Sequence, residues 1–130
     1  MSTDSNEIAA ITRTIDDYFQ GMYKSDRALI ERAFHPDAVI CGHFDGAYRH
    51  RSRQNFADFV EGVSPPAKNN VPYDMAIVSI DVTGDAAVVK VRDLYLNRYF
   101  VDYLTLLKSE GAWRIINKTY HHEPPLGPAN

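Results

Sequence analysis

The chain is predicted to fold as an α+β domain, with helices first and an antiparallel sheet after them. Three observations lead to this expectation. Apolar residues recur at spacings of three and four through the first third of the chain. From Tyr73 onward the period changes to two. The links between the later runs are only two or three residues long, which suits antiparallel neighbours. Helices segregated from strands in this way pack on one face of a curved sheet.

The elements follow in order. Asp4 and Glu7 form a capping-box pattern, and Ile8, Ile11, Ile15, Tyr18, Phe19 and Met22 then recur at helical spacing. They predict a first amphipathic helix over about residues 5–23. Asp26 can cap a shorter helix with Leu29, Ile30, Ala33 and Phe34 on one face, stopped before Pro36. The run "AVICGHF", residues 38–44, reads as a short strand. Ser52 caps a third helix carrying Phe56, Phe59 and Val60, which ends near Gly62. Pro and Asn content makes 64–72 a loop. Strands are expected at about 73–83, 86–96, 99–108 and 112–121, joined by Gly84-Asp85, Asn97-Arg98 and Ser109-Glu110-Gly111. The tail "EPPLGPAN", residues 123–130, cannot continue a central strand and is expected to be a loose end.

At 130 residues the chain is expected to be one domain, 1–130, with its core over 5–122. An apolar share of 45% supports a real core in a globular protein, and a net charge of −3 argues against a nucleic-acid partner. The basic run "RHRSR", residues 49–53, is read as solvated surface. The single cysteine, Cys41, cannot form an intramolecular disulfide, and no His/Cys grouping has metal-ligand spacing, so no metal is expected. No apolar run approaches the ~20 residues of a membrane span. The N-terminus lacks the basic start and apolar core of a signal peptide, so the expected location is cytoplasmic.

Two acids stand inside apolar strands in "VRDLYLNRYFVDYL", residues 91–104. With Asn97-Arg98 as the turn, Leu96 pairs with Tyr99, Tyr95 with Phe100, and Asp93 faces Asp102. Val89, Val91, Asp93, Tyr95, Phe100, Asp102, Leu104 and Leu106 then share one face. Gly84-Asp85 as the preceding turn puts Val82, Ile80, Val78 and Ala76 on that face too, with Ala76 opposite Asp93. In the last strand, Trp113, Ile115, Asn117, Thr119 and His121 are expected inside, with Arg114 and Lys118 outside. Both acids thus point into an apolar face, with Cβ atoms about 4.5–5.5 Å apart. Burial and like charge should raise at least one pKa, leaving a carboxylic acid beside a carboxylate. Such a pair suits general acid/base work, or hydrogen bonding to a polar group on a mostly apolar ligand. The alternative is that each acid is satisfied by a neighbouring Arg, Tyr or backbone group.

Tyr18 and Met22 belong to an aromatic cluster ending the first helix, read both as core and as pocket lining. Asn117 is the uncharged polar candidate for the pocket, with Tyr95, Phe100 and His121 beside it. His35 is expected to cap carbonyls at a helix end. His43 is a candidate base whose side of the strand depends on register. His121 and His122 are adjacent in a strand and point to opposite faces, so they cannot readily chelate one ion.

The stretches "IDDYFQGMYKSD", "LIERAFHPDAVICGHFDG" and "VDYLTLLKSEGAWRIINKTYH" resemble the nuclear transport factor 2-like superfamily over roughly residues 5–122. Within it they resemble the putative lumazine-binding branch, and more distantly the ketosteroid-isomerase-like and polyketide-cyclase-like members. The resemblance implies a cone: a strongly bent antiparallel sheet wrapped around a long N-terminal helix with two further short helices, and a pocket at the wide end. It also implies a homodimer through the outer sheet face, where Tyr99, Val101 and Tyr103 fall. Ketosteroid-isomerase-like enzymes carry a proton-shuttling acid at about Gly42-His43, where this chain offers only His43. Their oxyanion acid corresponds to Asp102, and its tyrosine partner to Tyr18.

The expected function is therefore binding of a small, largely apolar organic ligand in the cone. Asp93 and Asp102 would supply the polar contact, and His43 is the third candidate catalytic group. An enzyme of this kind would be a cofactor-free isomerase, dehydratase or cyclase working by proton transfer. The other class is a non-catalytic dimerisation or adaptor module.

Overall fold

The computed structural model describes residues 3–127. The long helix α1 (Thr3–Lys24) precedes the short α2 (Arg27–Ala33). A hairpin of β1 (Phe34–Phe44) and β2 (Ala47–Ser52) leads into α3 (Arg53–Gly62). After a 3-10 turn at Pro66–Lys68, a meander follows: β3 (Met75–Thr83), β4 (Ala86–Tyr95), β5 (Arg98–Ser109) and β6 (Ala112–His122).

One face of α1 disappears into the core through Ile11, Ile15, Tyr18, Phe19 and Met22, while Ile8 stays exposed. The helix does not start on Asp4, whose side chain lies outside the described residues. Glu7 instead accepts from Trp113 Nε1 at 3.0 Å and pairs with Lys108 at 2.9 Å. The Asp26 carboxylate caps α2 by accepting from the N–H groups of Ala28 and Leu29, and the Ser52 hydroxyl caps α3 by accepting from Asn55. Phe34 leaves the helix in extended backbone and opens β1 as a fully buried residue, and Pro36 restricts His35 before it to extended backbone.

The six strands lie in the order β2-β1-β6-β5-β4-β3, an open sheet. The meander is antiparallel as expected, but β1 runs parallel to β6, so the sheet is mixed. The "RHRSR" run is largely strand β2, paired with β1 through Gly42↔Arg49 and Ile40↔Arg51.

Three registers differ from the sequence expectation. The β4–β5 turn is Leu96-Asn97, both at positive φ, rather than Asn97-Arg98. Two central residues with φ above zero make the turn whose twist matches the flanking strands. Pairing therefore moves by two residues: Asp93 lies opposite Phe100 and Asp102 opposite Val91. An even shift keeps every side chain on its face. In β3 the register shifts between Ile77 and Ser79, so Met75 rather than Ala76 lies opposite Asp93, and Val78 is exposed. In β6 the step from Leu106↔Ile115 to Thr105↔Asn117 leaves Ile116 as an extra residue. Beyond that bulge the faces exchange: Lys118 and Tyr120 turn inward, and Asn117, Thr119 and His121 turn outward.

The tail is anchored as far as it is described. Glu123 and Leu126 donate their backbone N–H groups to the carbonyls of Tyr99 and Asn97, at 2.8 and 2.9 Å. Residues 128–130 lie outside the described residues. No described helix is long and apolar enough to cross a membrane.

Candidate functional site

The site is built on the concave face of β4, β5 and β6, under α1 and α3. Asp93 on β4 is 1% exposed and Asp102 on β5 is fully buried. They are diagonal neighbours across the β4–β5 pair, within hydrogen-bonding reach of each other. Tyr18 reaches down from α1 and donates its hydroxyl to Asp102 Oδ2 at 2.6 Å. Asp93 Oδ2, Asp102 Oδ1 and the Tyr95 hydroxyl are buried with no hydrogen-bond partner among the described residues. When the carboxyl pair holds one proton, Asp93 and Asp102 can share it, which supplies the donor that Asp93 Oδ2 and Asp102 Oδ1 otherwise lack.

The electrostatics agree with such sharing. Burial holds the Asp93 carboxyl well above the usual carboxylate range, and the charge and hydrogen bond of Asp102 push the same way. Lys118 pulls in the opposite direction. Burial, followed by the charges of Asp102 and Asp93, raises the Tyr18 phenol well above its ordinary value. Burial and the charge of Asp93 raise Tyr95.

Above this floor lies a cavity of about 180 Å³, smaller than the pockets that hold drug-sized ligands. Asp93 and Lys118 are its deep polar groups, and Phe44, Phe56 and Phe100 form its apolar walls. Lys118 is 6% exposed, and its ammonium sits 4.5 Å from the centre of the Phe56 ring, 5.0 Å from Tyr18 and 5.5 Å from Tyr120. An ammonium stripped of water gains from facing aromatic rings in this way. Arg49 and Arg51 of β2 complete the lining, with the Arg51 guanidinium 4.7 Å above the Phe59 ring.

The residues singled out from the sequence divide into three groups. Asp93, Tyr95 and Phe100 line the cavity. Tyr18 and Asp102 sit behind the lining, bonded to each other, and Met22 is packed in the core. His43, Asn117 and His121 lie on the other side of the sheet, away from the cavity. His43 is exposed against Tyr48, and His121 is exposed beside Glu123. His35 accepts a hydrogen bond from the Asp37 N–H at 3.0 Å rather than capping carbonyls.

Sequence reasoning missed Lys118, Tyr120, Arg49 and Arg51. The alternation of Arg49 and Arg51 was a usable signal for the latter two, since residues two apart in a strand share a face. Lys118 and Tyr120 carried no such signal, because their orientation depends on the bulge at Ile116.

A bent, open sheet wrapped on a long helix, with a cavity over its concave face, defines the nuclear transport factor 2-like superfamily. Within it, the chain belongs to the family described as Putative lumazine-binding, whose model matches residues 6–121. The fold matches an NTF2-like protein of unknown function from Silicibacter pomeroyi DSS-3 with a TM-score of 0.83 and 32% identity, covering 94% of this chain and all of that one. An NTF2-like protein of unknown function from Shewanella baltica OS155 matches with a TM-score of 0.84 and 30% identity, covering 95% of this chain and 99% of that one. The chain is also 28% identical to aldolase FrzH of a Cladobotryum species over 123 residues, 92% of this chain and 94% of that protein.

Proposed function

We propose that the protein binds a small carbonyl compound in this cavity and moves a proton at the carbon next to the carbonyl, without a cofactor. The observation that carries the reading is Asp93, a buried acid in the cavity wall with Asp102 behind it and the Lys118 ammonium in the same lining. A carboxyl whose pKa is raised is a stronger base when ionised, and at lower pH it is a hydrogen-bond donor. In the forward step the Asp93 carboxylate takes the proton. The C–H electron pair moves into the new C=C bond, and the carbonyl π pair moves onto oxygen. Lys118 stabilises the charge that develops there. Asp102, held by Tyr18, raises the basicity of Asp93 and shares its proton when it is loaded.

Isomerisation, dehydration and cyclisation of a carbonyl compound can each pass through such an enolate, and so can the carbon–carbon chemistry denoted by the word aldolase in the relative's name. The homology therefore supports the reading at the level of reaction class. Steroid isomerisation is not part of the proposal. The carboxylate that family places near Gly42 is missing, and the bonded Tyr18–Asp102 pair stands behind the cavity lining. We further take the protein to be a homodimer through the convex face. Val88, Tyr103 and Leu107 stand exposed there, with Val78 of the β3 bulge nearby.

The test is hydrogen–deuterium exchange at the α-carbon of small ketones and aldehydes in heavy water, followed by NMR. The wild-type protein is expected to accelerate exchange, and Asp93→Asn to lower the rate by about 10²–10⁴-fold, the usual contribution of a general base. Lys118→Met should slow exchange with its fold intact. Compounds that bind without any accelerated exchange would leave a binding protein and remove the enzyme.

A further inference from the structure

Arg49 and Arg51 are two residues apart on β2, opposite Gly42 and Ile40 of β1, so both side chains take the face turned toward the cavity. Both contribute to its lining. The Arg51 guanidinium carbon lies 4.7 Å from the centre of the Phe59 ring. Both guanidinia lie close enough to Tyr120, in the same wall, for their charges to act on its hydroxyl. Elsewhere Arg27, Arg32 and Arg98 are neutralised by Asp58, Asp17 and Asp45. Among the described residues, no carboxylate forms such a pair with Arg49 or Arg51.

The charge balance of the cavity is therefore opposite to that of the chain. The whole protein carries −3, yet the cavity is lined by three cations, Arg49, Arg51 and Lys118, against one carboxyl, Asp93. Arg51 is half-buried and Arg49 is exposed at the rim, and a neutral apolar ligand would offer neither guanidinium a partner. A carboxylate or phosphate matches the guanidinium fork with paired hydrogen bonds.

We infer that the ligand is a small organic oxyanion, with its carboxylate or phosphate held by Arg49 and Arg51 and its carbonyl or hydroxyl oxygen directed to Asp93 and Lys118. The apolar span between the two polar ends faces Phe44, Phe56 and Phe100. This inference rests on the cavity being a ligand site and names the class of ligand. It differs from the largely apolar molecule expected from the sequence.

The experiment compares three probes by calorimetry at low ionic strength: levulinate, its methyl ester, and dihydroxyacetone phosphate. Wild-type protein is expected to bind at least one of the two anions about ten-fold or more tightly than the ester, since hydrogen bonds between ionised partners are the stronger ones. Whichever anion is preferred identifies the terminal group. The preference should shrink with added salt. Arg49→Gln with Arg51→Gln should abolish it while the circular-dichroism spectrum stays unchanged. Anions that bind no tighter than the ester, or a preference that survives both substitutions, would overturn the inference and leave the cavity as a site for neutral carbonyl compounds. Absence of binding by all three probes would overturn the ligand site together with the inference.

Discussion

Asp93 is the residue on which stability and chemistry oppose each other. Its carboxyl is raised by burial and by Asp102, so the folded protein holds a proton that the unfolded chain releases at an ordinary carboxylate pKa. The stability from that held proton is fully present below about pH 4 and is lost as pH rises through the folded-state value. Asp93→Asn removes the titration while keeping the shape of the protonated acid. The variant is therefore expected to match wild type near pH 4 and to become the more stable protein at neutral and alkaline pH. Urea unfolding of both proteins across that range checks the sign, and a parallel pair of curves would contradict it. A variant more stable than wild type yet inactive in exchange would show that the acid is retained at the expense of stability.

At the scale of elements, the site depends on how closely β1 and β6 approach. The two strands are parallel neighbours with Gly42 beside Tyr120. A Cβ on Gly42 would meet the Tyr120 carbonyl oxygen at 2.7 Å and its ring at 2.9 Å. The carbonyl belongs to the sheet backbone and cannot swing aside. Gly42→Ala is expected to cost about 1–3 kcal/mol, the usual range for overpacking, measured by urea unfolding. Gly62→Ala is the control, because nothing lies within 4 Å of the added carbon at the end of α3. Equal stability of the two variants would remove the steric account. Since Tyr120 and Arg49 both adjoin Gly42, the damaging substitution should also weaken ligand binding.

For the whole molecule, the open question is what covers the convex face of the meander. Val88 on β4 and Tyr103 and Leu107 on β5 point away from the core, and all three are large exposed apolar residues. Apolar groups clustered on one side of a sheet mark an interaction surface. Sedimentation velocity should show a dimer for wild type and a monomer for Tyr103→Glu combined with Leu107→Glu. A wild-type monomer at every concentration tested would end the dimer proposal. The two glutamates stand on the side opposite Asp93 and Lys118, so α-proton exchange is expected to survive in the monomer.

The sequence by itself determined the α+β order, the caps at Asp26 and Ser52, and the inward direction of Asp93 and Asp102. Those features depend on local periodicity, on residues three apart, or on a face assignment that an even register shift cannot change. Tertiary structure alone decided the rest. The bulges in β3 and β6 arise where a twisted sheet must bend around a helix, and neither is marked by a glycine or proline in the run itself. The bulge at Ile116 turned Lys118 and Tyr120 into the cavity and Asn117 and His121 out of it. The pairing of β2 with β1 brought Arg49 and Arg51 to the same cavity. A carboxyl pair could be read from alternation along two strands. The cations that complete the site came from two further strands, whose placement depends on contacts between distant parts of the chain.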